Sequence, residues 1–343
     1  MHAIILAGGY GKRLWPLSTK ENPKQCLKLL GKKTLIEQTK ERIEKLVPKE
    51  NIFVSTNESI ADKIRKILPN LNYVVEPEAK NTAPAIGLSA MKIYNEDKES
   101  VVIVETSDHY YKDDEKFINH LKLAVKEAKN NRIVTLGINP TYPSTGFGYI
   151  KKGSEINKKT FSVEEFKEKP DKKTAQKYVE SKKYLWNSGI FVFKAKTMIK
   201  EIKKHMPDLH KGLVKIKESN FKKETIKEVF SNLESISIDY GIMEKTQNLS
   251  MIQGDFLWYD VGSFTDLEKI MKNENKDNLI ISGNYINLDS KNNIIYSDSK
   301  KPTGTVNINN SIIINTKNGL LVCPKGKSQK VKKLVNKLKK DLK

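Results

Sequence analysis

The sequence predicts an α/β fold, and three observations carry that reading. Short β-branched runs alternate with amphipathic stretches over the first 140 residues, the βαβ rhythm of a parallel sheet. From about residue 140 hairpin patterns enter, so the sheet is expected to be mixed as well as parallel. After about residue 278 the texture changes to short Ile, Val, Asn and Ser pieces, the mark of a small β-rich unit. A large domain over residues 1–277 and a small region over 278–343 follow from that change.

The strands of the first part fall at residues 3–6, 52–55, 73–75, 101–105 and 133–137. Between the first two, Thr34 and Glu37 spell a capping box, after which Leu35, Ile36, Ile43, Leu46 and Val47 trace one apolar helix face. A second helix starts near 81–84, where Pro84 suits a first turn and Ile86, Leu88, Met91 and Ile93 follow. A third covers 114–128. Residues 145–150 read as a turn into a strand, 163–166 as a further strand and 172–181 as a helix. In the C-terminal region, strands at 279–282, 293–297, 306–308 and 311–315 are joined by Asn, Gly and Ser turns, which allows a few coils of a β-helix, although no fixed period stands out. An amphipathic helix closes the chain, with Val331, Leu334, Val335, Leu338 and Leu342 on its apolar face.

Of the 343 residues, 38% are hydrophobic and 30% charged, which places the chain among folded globular proteins rather than disordered ones. No apolar run reaches the 18 or so residues of a membrane span, and no export signal is legible, so a cytoplasmic location is expected. Cys26 and Cys323 stand far apart without C-x-x-C spacing, which speaks against a structural zinc or a disulfide framework and for two small core residues. The net charge of +21 suggests nucleic acid, but its distribution does not. Arginine occurs only at 13, 42, 65 and 132, lysine is scattered everywhere, and residues 325–343 hold nine lysines against one aspartate. No nucleic-acid role is expected. The basic tail is read as a helix docked on its own protein, ahead of attachment to a membrane surface.

The first strand runs directly into Gly8-Gly9-Tyr-Gly11-Lys12-Arg13-Leu-Trp-Pro16. Glycines at the carboxyl end of a parallel strand leave backbone N–H groups open to a phosphate. A dinucleotide fingerprint fails because Leu14 occupies a position that needs a small residue, and the Gly326-Lys-Ser328 triplet fails as a Walker A loop because Leu321 stands where its first glycine belongs. Arg13 is conspicuous in a chain that writes positive charge as lysine. Its fork geometry suits a triphosphate, the competing reading being a solvent-exposed turn residue. Lys24 is a second cation for the same phosphates.

These residues resemble the sugar-1-phosphate nucleotidyltransferases. The glycine loop with Trp15-Pro-Leu-Ser18 and Pro23-Lys24-Gln25 looks like that family's signature in its guanylyl-type form. Further matches follow in family order: Glu76-Pro-Glu-Ala-Lys-Asn81-Thr82-Ala-Pro84, Ser107-Asp108-His109, Thr145-Gly146-Phe-Gly148, Phe166-Lys-Glu168-Lys169-Pro170, Trp186-Asn187-Ser188-Gly189 and Trp258-Tyr-Asp260-Val-Gly262-Ser263. Four positions depart from the pattern, Lys12, Cys26, Ser107 and Phe264, and none removes a charged or coordinating group.

The resemblance implies a Rossmann-like nucleotidyltransferase domain followed by a short β-helix-like piece. It implies transfer of GMP from GTP to mannose 1-phosphate, giving GDP-mannose and pyrophosphate by Mg²⁺-dependent in-line displacement without a covalent intermediate. Arg13, Lys24 and Asp108 are then the catalytic residues, with Gly8, Gly9, Gly11, Lys12, Asn81 and Thr82 joining Arg13 on the nucleotide. Gly146, Glu168, Lys169 and Asn187 take the sugar phosphate, and Asp108 and Asp260 take the metal, which prefers oxygen ligands. The residues alone leave alternatives open: a helix N-cap for Asp108, an Asx turn for Asp260, capping for Asn81 and Thr82, and a surface ion pair for Glu168 and Lys169. Pro170 is expected to hold Lys169 extended. His109 is read as structural, and His205 and His210, five apart in a lysine-rich helical stretch and so off a common face, are not expected to pair as ligands. A chain of this length is expected to lack the isomerase domain of many bacterial relatives, and a homodimer through the β-rich piece is expected. The rival readings are the same chemistry on heptose or glucose 1-phosphate or with another nucleoside triphosphate, and a non-catalytic regulator that binds a nucleotide sugar.

Overall fold

The structure is a computed structural model that describes residues 1–271 and 278–338. Two compact units make up the chain, the first from Met1–Gly8, Gln38–Ser107 and Tyr111–Trp258, the second from Gly9–Glu37, Asp108–Tyr110 and Tyr259–Lys343. The boundary read at 277 falls at the edge of residues outside those described.

In chain order the strands down to residue 260 are β1 (His2–Leu6), β2 (Ile52–Asn57), β3 (Asn72–Glu76), β4 (Val101–Thr106), β5 (His109–Tyr111), β6 (Ile133–Ile138), β7 (Tyr149–Asn157), β8 (Thr160–Lys167), β9 (Tyr184–Lys194), β10 (Leu249–Gly254) and β11 (Trp258–Asp260). Nine of them form the sheet of the first unit in the order β3-β2-β1-β4-β9-β6-β10-β8-β7, while β5 and β11 pair separately. β3, β2, β1 and β4 are parallel, with Ile4 opposite both Phe53 and Val104. A simple βαβ series would continue with β6 beside β4. Instead β9 lies between them, antiparallel to both. Its run from Leu185 to Phe193 is buried almost throughout, and a strand apolar on both faces is most stable at a sheet centre.

The helices are α1 (Leu35–Glu44), α2 (Glu58–Ile67), α3 (Thr82–Glu96), α4 (Asp114–Ala128), α5 (Lys172–Ser181), α6 (Ala195–His205), α7 (Pro207–Glu218), α8 (Lys223–Asn232), α9 (Phe264–Met271) and α10 (Val331–Lys337). The capping box forms as written: Thr34 N–H donates to Glu37 Oε2 at 2.7 Å and Glu37 N–H to Thr34 Oγ1 at 3.3 Å. α3 is apolar almost all round and sits in the core with Met198 and Ile202 of α6 and Leu209 and Leu213 of α7. His205 closes α6 and His210 lies in α7, so a break at Met206-Pro207 separates what reads as one helical stretch.

The second unit holds β12 (Leu279–Ser282), β13 (Tyr285–Leu288), β14 (Ile294–Ser297), β15 (Thr303–Val306), β16 (Ser311–Thr316) and β17 (Gly319–Pro324). β12, β14 and β16 stack in parallel, with Leu279, Ile294 and Ile312 in register, and β17 turns back against β16. β13 and β15 form a second parallel pair. Buried amides join the coils: Asn293 Nδ2 donates to Asn278 Oδ1 at 3.0 Å across 15 residues, and Ser311 N–H to Asn293 Oδ1 at 2.9 Å across 18. These unequal coil lengths hide the repeat from a search for a fixed period. The strand read at 306–308 is instead β15, ending at Val306.

Ile294, Ile312, Ile314 and Leu321 share one apolar cluster with Leu14, Trp15, Leu17, Leu27, Val261 and Phe264, so the segment after the glycine loop and the β-rich coils are built on a common core. Val331 and Val335 join it as an i, i+4 pair, while Leu334 is exposed. Leu342 lies outside the described residues. Cys26 and Cys323 are half-buried rather than fully buried, and Cys323 packs against that cluster.

Candidate active site

The glycine loop and the two proposed metal-binding aspartates belong to the second unit apart from Gly8, and their geometry is tightly determined. Gly11 has φ of 78° and lies so close to Lys24 that a Cβ on it would stand 2.7 Å from the lysine Cβ. Only glycine tolerates both conditions. At Gly8 and at Gly9 a Cβ would meet open space, so these glycines leave the backbone accessible rather than relieve a clash. The Lys24 N–H donates to the Tyr10 carbonyl at 3.2 Å, and the Ser18 hydroxyl donates to the same oxygen.

Lys24 Nζ forms an ion pair with Asp108, lies 3.8 Å from Asp260 Oδ1 and donates to the Val261 carbonyl at 3.3 Å. Burial by itself lowers the pKa of this lysine, but the two carboxylates outweigh it and hold the ammonium above its ordinary value. Asp108 follows β4 in a turn, where its carbonyl accepts from Val261 N–H at 3.1 Å. It is not the helix cap: α4 is capped by Asp113, whose side chain accepts from Lys116 N–H. Asp260 ends β11. Two carboxylates on one cationic nitrogen make a hard oxygen donor set, and the chemistry of that set fits a Mg²⁺ that takes its remaining ligands from phosphates and water.

Arg13 lies over the Asp-Val-Gly turn. A Cβ on Gly262 would stand 3.0 Å from its guanidinium, so any side chain there would push on the arginine. The guanidinium donates to Gln329 Oε1 at 3.1 Å, and Lys12 Nζ donates to Asn336 Oδ1 at 3.0 Å.

The sugar-phosphate candidates lie in the first unit. Glu168 is buried and pairs with Lys169, while its N–H donates to Glu244 Oε1 at 2.8 Å. Lys169 is not extended as Pro170 led one to expect, but has φ of 44°. In an extended chain neighbouring side chains point to opposite faces, so a pair between adjacent residues needs a turn. Holding it against the preference before proline stores backbone strain. Asn187 does not present an open amide. Its Oδ1 accepts from Thr135 Oγ1 at 2.9 Å and Gly189 N–H at 3.2 Å, and its Nδ2 donates to Asp239 Oδ1 at 3.0 Å.

Asp239 is not legible in the sequence as a site residue. Burial first, then the neighbouring Glu168, push its carboxyl up to about 7, with Lys169 pulling the other way. The available signal is a single acid among apolar neighbours in Ile236-Ser-Ile-Asp239-Tyr. Gly148 belongs to a matched motif but not to the expected site. A Cβ there would meet Glu168 Oε2 at 2.6 Å and Asn187 Cβ at 3.3 Å, whereas Gly146 is crowded by nothing nearer than Ser144 Oγ at 3.6 Å. Asn81, with φ of 69°, accepts from Thr82 N–H through its side chain as the cap of α3, and Thr82 Oγ1 accepts from Ile238 N–H at 2.9 Å. Capping and anchoring are therefore what these two residues do in this structure.

Comparison with known proteins adds to this geometry. Residues 2–277 match the nucleotidyl transferase family and residues 283–338 the MannoseP isomerase/GMP-like beta-helix domain. A mannose-1-phosphate guanylyltransferase of Salmonella muenchen is 39% identical over 347 residues, covering 98% of this chain and 73% of that protein. Mannose-1-phosphate guanylyltransferase RfbM of Salmonella typhimurium is 36% identical over 349 residues, covering 98% and 72%. Among solved structures, one from Thermus thermophilus, described as a mannose-1-phosphate geranyltransferase, superposes with a TM-score of 0.90 at 32% identity and covers 98% of both chains. Among the described residues no helix is long and apolar enough to cross a membrane. The chain belongs to the nucleotidyltransferase family and, within it, to the mannose-1-phosphate guanylyltransferases.

Proposed function

We propose that the protein transfers the GMP moiety of GTP to mannose 1-phosphate, releasing pyrophosphate and forming GDP-mannose. The observation that carries the reading is Lys24 paired with Asp108 and Asp260 beside Arg13, within a chain of this family. Two polyanions must react, so neutralising and aligning phosphate accounts for most of the catalysis.

Asp108 and Asp260 would hold Mg²⁺, and the chemistry it would supply there is Lewis-acid neutralisation of phosphate charge. Lys24 keeps the two carboxylates in place and stays protonated. Arg13 and Lys12, both engaged by neutral amides, bring undiminished positive charge to the triphosphate, and Gly8, Gly9 and Gly11 open the backbone to it. Asn81 and Thr82 shape the approach of the guanine at the start of α3. Glu168 takes sugar hydroxyls and Lys169 the sugar phosphate, with Asn187 and Asp239 orienting Glu168 and the backbone near Gly146 facing the ring. The exposed Ile286, Leu288 and Val306 of the β-rich coils suit a homodimer contact, which sedimentation measures.

The test is pyrophosphate release by purified protein with Mg²⁺, across four nucleoside triphosphates and the 1-phosphates of mannose, glucose, heptose and N-acetylglucosamine. Release confined to GTP with mannose 1-phosphate is expected. Another productive pair overturns the substrate assignment, and silence with retained binding of a nucleotide sugar favours a regulator.

A further inference from the structure

We propose that Gln329 and Asn336, in the C-terminal segment, are positioning residues for the triphosphate. They act through Arg13 and Lys12, and the inference rests on the GTP-dependent reading above. Four observations converge on this segment. The guanidinium of Arg13 and the ammonium of Lys12 each donate to an amide oxygen there, at 3.1 and 3.0 Å. The segment is itself anchored: Lys325 pairs with Glu268 and donates to Asn292 Oδ1 at 2.7 Å, Ser328 is buried, and Val331 and Val335 sit in the same apolar cluster as Leu14 and Trp15. The loop is tied to the β-rich coils from its other side, where Asn318 Nδ2 donates to the Pro16 carbonyl at 3.2 Å. The contacts also differ in kind from that of Lys24, whose charge is matched by carboxylates.

That last difference gives the contacts their purpose. A carboxylate partner neutralises a cation, whereas an amide oxygen orients it and leaves its charge available to an incoming anion. Lys and Arg side chains are among those that lose most rotamer entropy when fixed. Holding Lys12 and Arg13 before GTP arrives removes part of that cost from binding. The backbone under the cations is held by the turn Lys12–Leu14 and the buried Leu14, but their long side chains reach outward from it, so the C-terminal segment supplies the side-chain order that the turn does not.

The experiment is steady-state kinetics on the full chain with Gln329→Met and Asn336→Leu, which keep shape and remove the acceptor at exposed positions. The KM for GTP is expected to rise roughly threefold to tenfold in each, with kcat and the KM for mannose 1-phosphate within twofold. The coupling is the decisive readout: in a Lys12→Met background, Asn336→Leu is expected to change nothing further. An unchanged KM for GTP overturns the proposal, as does the same rise with and without Lys12. Unfolding midpoints identify any variant that has lost its fold, and Asn336→Gln, which keeps an acceptor, then replaces Asn336→Leu, with recovery of the GTP KM expected and no recovery counting against the proposal. Absence of GTP turnover in the unmodified protein instead overturns the functional reading. If another triphosphate is used, the same comparison is read on that nucleotide.

Discussion

Single residues in this protein do chemistry through what they neutralise. With Asp108 gone, Lys24 keeps the Val261 carbonyl at 3.3 Å and the Asp260 carboxylate at 3.8 Å, and the proposed metal site loses one of its two carboxylates. Asp108→Asn is therefore expected to cut turnover by about 100-fold or more with the fold retained; near-normal rates in excess Mg²⁺ would remove Asp108 from the metal site. Glu76 carries a different kind of information. Burial pushes its carboxyl up to about 8, with only the Lys80 backbone N–H opposing. The folded state then holds a proton that the unfolded chain gives up near pH 4.5, so this group lowers stability as pH rises from about 4.5 to 8, and above 8 the penalty is complete. Glu76→Gln keeps an acceptor and abolishes the penalty. Its unfolding free energy is expected to exceed that of the parent at pH 8 by a few kcal/mol, and to match it near pH 4. Urea titrations at both pH values measure this, and a constant difference across pH would mean that Glu76 is ionised in the fold. Asp239 shows why such residues escape sequence reading: its raised pKa comes from burial beside Glu168, and neither is written in its neighbours.

Elements with their own local signals were legible. Thr34 and Glu37 announce α1, and the β-branched runs of β1, β2 and β4 declare themselves without help from the fold, whereas the cap of α4 is Asp113 and not the Asp108 that the residues left open. Elements that depend on pairing were not. β9 takes its central place through partners about 50 to 90 residues away, at Val134 and Val102, and no property of Tyr184–Lys194 names them. β5 and β11 are three residues each and exist because they pair with one another. The site follows the same rule: Lys24, Asp108 and Asp260 were legible as motif residues, but the amides that hold Lys12 and Arg13 lie more than 300 residues away. The capping box gives a clean test at this scale. Thr34→Ala removes the acceptor of Glu37 N–H and one donor to Glu37, and is expected to cost about 1 kcal/mol in denaturant unfolding. A change below a few tenths would show that packing of Leu35 and Ile36 alone fixes the helix start.

At the scale of the whole molecule, the two units have separate apolar clusters, and the glycine loop does not share the cluster of the strand that leads into it. Leu14, Trp15 and Leu17 are buried with Ile312, Ile314 and Leu321, so the β-rich coils act as the foundation of the phosphate loop. Segments that share a core open together, and segments with separate cores need not. Ile314 is fully buried in that cluster. Ile314→Ala leaves a cavity worth about 2–5 kcal/mol, and that loss falls on the cooperative unit to which the residue belongs. Hydrogen exchange read by mass spectrometry should then show faster exchange in peptides over residues 12–18, 294–297 and 311–316 together. Peptides over β1, β2 and β4 are expected to keep their protection. Faster exchange in the coils alone would mean that the loop has support of its own, and the assignment of Gln329 and Asn336 would lose its structural premise. Uniform loss across the chain would mean one cooperative unit, in which the division between cores has no energetic consequence.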